Sequence, residues 1–287
     1  MIGTGAAYAK VNLALDILGK RPDGYHDMRM IMQTISLYDT VSVEARDGDF
    51  SLQMDGFIPP SGKKTLEQQA AEAFFNYIGK PLPGLSVSIK KQTPAYAGLG
   101  GGSADVAALL RILRDVYAPE LSTETLQAIG LTVGSDMPFC VRGGTALAEG
   151  RGEILTDLKP LPECFFVLCK PDFGIPTPML FARVDGEKLT TDRPDIEGMM
   201  QTLETGDLLG VTARLGNVFE AVLPEEFCEV YAIKQKLLDL GALNAAMSGS
   251  GPTVFGIFSD FKTAQNAVIQ LKEHYEQTYL AEPVRKF

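Results

Sequence analysis

Four glycines in five residues, within Gly98-Leu99-Gly100-Gly101-Gly102-Ser103, set the strongest constraint on how this chain can fold. A turn before a helix needs one glycine with a positive φ. Four add unfolded-state entropy that a plain connection need not incur. Backbone approaching a bulky anion explains the excess better. Leu85 to Lys90 alternates like a strand and runs into the stretch, and Val106, Leu109, Leu110, Leu113 and Val116 mark one face of a following helix. Ser103 suits the N-cap of that helix, and Asp105 its first turn, where a carboxylate complements the dipole. Strand, glycine loop and helix N-terminus together suit an anion such as phosphate. No GK[ST] ends the loop, so it is not a Walker A motif, and Ser103 stands where the dinucleotide fingerprint has its third glycine.

A phosphate site is demanding here, because the net charge is -10. That charge disfavours nonspecific binding to nucleic acid or an anionic membrane, and it requires positive potential to be concentrated locally. The 287 residues, 45% hydrophobic and 22% charged, fit a globular chain of two ordinary domains. The Pro-rich stretch at Lys159-Pro160-Leu161-Pro162 marks the boundary, giving an N-terminal domain 1–159 and a C-terminal domain 160–287. The longest apolar run, Cys164 to Cys169, is too short for a bilayer, and Met1 to Gly5 lacks signal-peptide character, so a cytoplasmic location is expected. Cys140, Cys164, Cys169 and Cys228 form no CxxC pair and are expected to be buried and reduced. With His26 and His274 as the only histidines, a zinc site does not fit. The sequence sets no oligomeric state.

Val11, Leu13, Leu15 and Ile17 alternate as a half-buried strand, which puts Lys10, Asn12 and Asp16 on its opposite face. Pro22-Asp23-Gly24 signals a turn that delivers Tyr25 and His26. Ile31 to Ala45 reads as strand broken near Tyr38-Asp39, and Leu66 to Ile78 as helix. In the second half, Phe165 to Cys169 and Thr253 to Phe258 read as strands. Val230 to Leu240, closed by Gly241, and Lys262 to Tyr275 read as helices. Taken singly, Ser248-Gly249-Ser250-Gly251 is a helix-to-strand connection as readily as a site. Asp136 in Gly134-Ser135-Asp136-Met137-Pro138 is a local cap, Lys10 a solvated lysine and His26 a loop residue.

Taken in order, these segments resemble the GHMP kinases, the superfamily of galactokinase, homoserine kinase and mevalonate kinase. The resemblance rests on Ala9-Lys10-Val11-Asn12-Leu13, Arg21-Pro22-Asp23-Gly24-Tyr25-His26, the GLGGGS loop and Gly134 to Pro138. Gly150-Arg151-Gly152-Glu153, Ile175-Pro176-Thr177-Pro178 and Met247 to Pro252 extend it to nearly the whole chain. It implies an α/β (α+β) two-domain architecture: an N-terminal domain like domain 2 of ribosomal protein S5, with a left-handed crossover, and a ferredoxin-like C-terminal domain. It implies ATP as cofactor, with Mg2+ held mainly by the ATP phosphates.

The same resemblance assigns roles. Pro94-Ala95-Tyr96-Ala97-Gly98-Leu99-Gly100-Gly101-Gly102-Ser103-Ala104 would wrap the ATP phosphates. Asp136 would accept or orient the substrate hydroxyl, and Lys10 would keep that carboxylate ionised. The DGYH and IPTP segments point to members whose small-molecule substrate carries a cytidine diphosphate. There Tyr25 would stack on the base, His26 bond its polar edge and Phe181 close the other side, with Asn12 and Thr177 contacting substrate. Ala104, Ser135 and Thr65 depart from residues common in the family. The competing readings are a kinase of the same superfamily for another small alcohol, and a non-enzymatic S5-like binding module.

Overall fold

β-Branched and aliphatic residues on both faces of the first segments produce two long strands, Gly3–Lys20 (β1) and His26–Ala45 (β2). The computed structural model describes residues 2–55, 63–186 and 193–287. The chain forms two compact units. Met1–Ala9, Tyr38–Thr93 and Gly100–Gly143 make the first, and Lys10–Leu37, Pro94–Leu99 and Gly144–Phe287 the second. Pro160 lies inside the last of these segments, so compactness does not divide the chain there.

In the first unit, Ser51–Met54 (β3) is followed by Leu66–Tyr77 (α1), Leu85–Lys90 (β4), Gly101–Tyr117 (α2), Thr123–Leu131 (α3) and Met137–Arg142 (α4). β4 pairs antiparallel with Thr40–Ala45 of β2 and parallel with β3. Val106, Leu109, Leu110 and Leu113 of α2 are buried as the spacing predicts, but Val116 is exposed. The helix also starts earlier than expected. Gly100, at φ +68, is its N-cap, and Ser103 is an interior residue. Asp105 therefore falls beyond the first turn and is buried.

A buried charge group ties these elements. Asp39 interrupts nothing in β2, because its Oδ1 accepts the backbone N–H groups of Gln92 (2.6 Å) and Thr93 (2.7 Å). Lys91 Nζ lies 2.5 Å from Asp39 and 2.7 Å from Asp105. Asp105 Oδ1 and the Thr93 hydroxyl have no hydrogen-bond partner among the described residues. Burial pushes the Asp105 carboxyl up to about 7, against the pull of Lys91. Burial works to lower the Lys91 pKa, yet Asp105 and Asp39 together raise it. The two shifts are reconciled by counting charges: two carboxyls face one ammonium, so a proton held on Asp105 makes the set neutral.

The second unit adds Thr145–Gly150 (β5), Ile154–Asp157 (β6), Phe165–Cys169 (β7), Thr177–Gly186 (α5), Ile196–Thr205 (α6) and Leu208–Thr212 (α7). Gly216–Asn217 (β8), Glu229–Asp239 (α8), Asn244–Met247 (β9), Val254–Phe258 (β10), Phe261–Lys272 (α9) and Thr278–Ala281 (β11) complete it. β5 pairs with Met28–Gln33 of β2 and with β6, and β8 runs parallel to β1 at Ala14 and Leu15. The sheet β11-β7-β10-β9 is antiparallel throughout. Its first and third strands are central and its connections are helical on either side of the β9–β10 hairpin, which is the ferredoxin-like order. Gly241, at φ +98, ends α8 as expected. Ser248 to Gly251 instead joins two strands, not a helix to a strand. Cys228 is exposed, whereas the other three cysteines are buried.

Folded Asp105 holds its proton to about pH 7, while its ordinary value is 3.8. Its contribution to stability is full below the lower value, declines as pH rises toward the upper one and is flat above. Asp105→Asn keeps the shape without titrating. It is expected to flatten this decline in urea midpoints taken between about pH 5 and pH 8; an unchanged slope would show that the group does not titrate there.

Candidate active site

In the second unit, two small-residue segments and β1 interlock. Gly98 has φ +73, and a Cβ on it would sit 2.0 Å from the Ser248 carbonyl oxygen and 2.9 Å from Gly251 N. Any side chain is excluded there by backbone. Ser248 Oγ donates to the Gly98 carbonyl (2.9 Å) and accepts from the Asn12 N–H (3.3 Å). Lys10 N donates to the Leu99 carbonyl (2.9 Å). Asn217 Nδ2 holds the turn from Met247 and Gly249, at 2.8 Å to each carbonyl. Tyr96, within the same stretch as Gly98, is 86% exposed and strained at φ +51, a condition that clusters at active sites, ligand clamps and switch regions.

Lys10 and Asn12 are not on a solvated strand face. Both are buried, as is Asp16, because β1 is covered on both sides. Lys10 Nζ donates to Asn12 Oδ1 (2.6 Å), and Asn12 Nδ2 contacts Met30 Sδ (3.1 Å). Asp16 is engaged by Arg193 at 2.8 Å; burial raises its pKa and Arg193 opposes the rise.

The Asp23 turn presents Tyr25 and His26 as expected. Asp23 accepts the Tyr25 N–H at 3.1 Å, and Arg21 N donates to the Tyr25 carbonyl at 2.7 Å. Tyr25 is half-exposed, with the Arg151 guanidinium 4.8 Å over its ring. His26 is buried, its ring stacked on Phe181 at 4.5 Å and 23°. Its Nε2 lies 2.8 Å from Asp185 Oδ1. Phe219 meets Phe181 edge-on at 5.1 Å. One face of Phe181 is thus covered by His26. Thr177, Phe181 and Asp185 recur every four residues, so one face of α5 carries all three. Thr177 Oγ1 lies 2.7 Å from Ser250 Oγ, which links α5 to the glycine turn.

The first unit, by itself, carries the rest of the glycine stretch and Asp136. The early N–H groups of a helix lack intrahelical partners and carry partial positive charge, so Gly101, Gly102 and Ser103 of α2 form a ready anion surface. The glycines differ. A Cβ on Gly101 would be 3.1 Å from Thr93 Cγ2, whereas one on Gly102 would meet nothing within 4 Å. The protein's own packing does not require glycine at 102. Asp136 precedes α4 and makes no side-chain cap bond, so the local-cap reading does not hold. Arg111 Nη1 donates to the Cys140 carbonyl at 2.8 Å, fastening α4 to α2; burial lowers the Arg111 pKa to about 10. Thr65 caps α1 by accepting from Gln68 N at 3.3 Å, and Ala104 is buried.

Lys20, Asp185, Arg151, Ser248 and Asn217 were not among the residues expected. Arg151 and Ser248 lie in segments that carry the family resemblance, and Asp185 keeps a four-residue spacing from Phe181; Lys20 and Asn217 had no sequence signal. Among the described residues, no group of three or more His, Cys, Asp or Glu could hold a metal ion. No helix there is long and apolar enough to cross a membrane.

Residues 65–144 match the family model "GHMP kinases N terminal domain", and residues 199–277 match "GHMP kinases C terminal". A 4-diphosphocytidyl-2-C-methyl-D-erythritol kinase of Clostridium botulinum (strain Langeland / NCTC 10281 / Type F) is 38% identical over 278 residues, 97% of this chain and 99% of its own. One of that name from Clostridium tetani (strain Massachusetts / E88) is 39% identical over the same shares. The crystal structure of a 4-(cytidine 5'-diphospho)-2C-methyl-D-erythritol kinase is similar at TM-score 0.81 and 30% identity, covering 98% of this chain and 99% of that one. Homoserine kinase from Cytophaga hutchinsonii, at TM-score 0.72 and 16% identity over 97% of this chain and 95% of its own, shares the fold. The interlocked glycine turns are in place, and these likenesses decide the family: the chain belongs to the GHMP kinases.

Proposed function

We propose that this chain transfers the γ-phosphoryl group of ATP to the 2-hydroxyl of 4-diphosphocytidyl-2-C-methyl-D-erythritol, in the non-mevalonate route to isoprenoid precursors. The observation that carries the choice of substrate is the buried His26, stacked on Phe181 and bonded to Asp185 beside the exposed Tyr25. A substrate without a nucleobase, such as homoserine or mevalonate, has no use for such a cluster. The full-length likeness to kinases named for the cytidyl substrate supports the same choice.

The residues divide the work. Pro94 to Ala104 hold the ATP phosphates, with the α2 N-terminus supplying N–H groups and dipole. Asp136 orients the substrate hydroxyl and takes its proton as the new P–O bond forms and ADP leaves; Lys10 supplies positive charge to the reacting groups. Tyr25, His26 and Phe181 handle the base, while Asn12 and Thr177 contact the remainder of the substrate. Mg2+, carried on the ATP phosphates, would neutralise part of their charge when bound. We place the enzyme in the cytoplasm and read 1–159 and 160–287 as its N- and C-terminal halves, one family model lying in each.

Purified protein is expected to release ADP from ATP only with the cytidyl substrate. Equal turnover with homoserine or mevalonate, and none with that substrate, would refute the assignment. Asp136→Asn is expected to retain its fold and ATP affinity while kcat falls by about 10²–10⁴; near-normal turnover would remove Asp136 from the chemistry. Gly102→Leu should raise the KM for ATP about tenfold while the urea midpoint holds or rises, since leucine exceeds glycine in helix propensity by roughly 0.8 kcal/mol. An unchanged KM would mean that the phosphates do not approach Gly102.

A further inference from the structure

Asp185 lies outside every motif that suggested the function, yet it is the polar group bonded to the His26 ring. Its Oδ1 is 2.8 Å from His26 Nε2, and Lys20 Nζ is 2.5 Å from its Oδ2. Phe181, one helical turn before Asp185, stacks on the imidazole and fixes the ring plane. Neutral imidazole has one N–H and one lone pair, and a carboxylate only accepts hydrogen bonds. The Lys20 hydrogen bond, followed by that of His26, holds the Asp185 carboxyl below its ordinary value, so it is ionised at neutral pH. The hydrogen of the neutral ring is therefore on Nε2, and Nδ1 is left as an acceptor.

We propose that Asp185, fixed by Lys20, is a positioning residue that sets the His26 tautomer and so makes the site select an amino pyrimidine over a keto pyrimidine. Cytosine offers the exocyclic N4 amine, a donor that an Nδ1 lone pair accepts; uracil presents the O4 carbonyl there, which would face that lone pair acceptor to acceptor. The inference rests on reading His26 as the contact to the base edge. Mis-pairing leaves buried polar groups unsatisfied, and sites that discriminate this way reject the wrong partner strongly.

The test uses the full chain. His26 and His274 are its only histidines, so long-range 15N spectra of the imidazoles resolve two rings, assigned with His274→Gln. In wild type the neutral His26 ring is expected to show Nε2–H with Nδ1 unprotonated; in Asp185→Asn, whose amide can donate or accept, and in Asp185→Ala, a mixture of tautomers is expected. The kinetic arm compares kcat/KM for the cytidine diphosphate substrate with that for its uridine counterpart. Wild type should favour cytidine by roughly a hundredfold or more, and Asp185→Asn should narrow the ratio at least about tenfold, mainly through KM. An Nδ1–H ring in wild type, or a variant ratio equal to wild type's, overturns the proposal. Wild-type protein with the Nε2–H ring but no turnover of either substrate identifies a different failure: the kinase reading falls, and the base contact with it.

Discussion

The approach of the Ser248 carbonyl to the Cα of Gly98 is the contact on which the second unit's chemistry depends. A methyl group in place of the Gly98 hydrogen would overlap that oxygen, so two backbones far apart in sequence meet with no side chain between them. Ser248 then bonds both the Gly98 carbonyl and the Asn12 amide, which sets β1 against the turn where Lys10 and Asn12 project. Ser250 continues to Thr177, and Thr177 begins the helix face that carries Phe181 and Asp185. The position of His26 is thus reached from Gly98 through one run of hydrogen bonds and helical spacing.

Different parts of this arrangement were visible in the sequence to different degrees. The glycine stretch was plain, because an excess of glycine has few explanations. Its division of labour was not. Gly98 is demanded by Ser248 and Gly101 is crowded by Thr93, while Gly102 has open space; partners remote in sequence decide which is which. The alternation along β1 set Lys10, Asn12 and Asp16 on a face opposite the aliphatics, but a period of two cannot say whether a second layer covers that face. That face is covered, and it carries Lys10 and Asn12, to which the family resemblance gives roles, beside Asp16, to which it gives none.

Local rules failed where a tertiary partner outbid them. Ser103 is a good N-cap residue, yet Gly100 in the left-handed conformation begins the helix instead. An aspartate mid-strand is normally a break. Asp39 is kept in β2 by the two amides that its carboxylate accepts. Asp185 had the right spacing from Phe181 and no composition cue at all. These departures cluster around the loop and the His26 ring, which is where function is expected to override local preference.

The buried set of Asp39, Lys91 and Asp105 has a consequence for the field felt at the start of α2. With its proton in place, Asp105 adds no negative charge, and the remaining carboxylate and ammonium cancel. The half-positive end of the helix therefore begins beside a neutral neighbour and is not quenched from beneath. In a chain of net charge -10, that economy matters. Loss of the proton above about pH 7 would place a bare charge two residues beyond Ser103 and weaken the pull of the helix start on an anion.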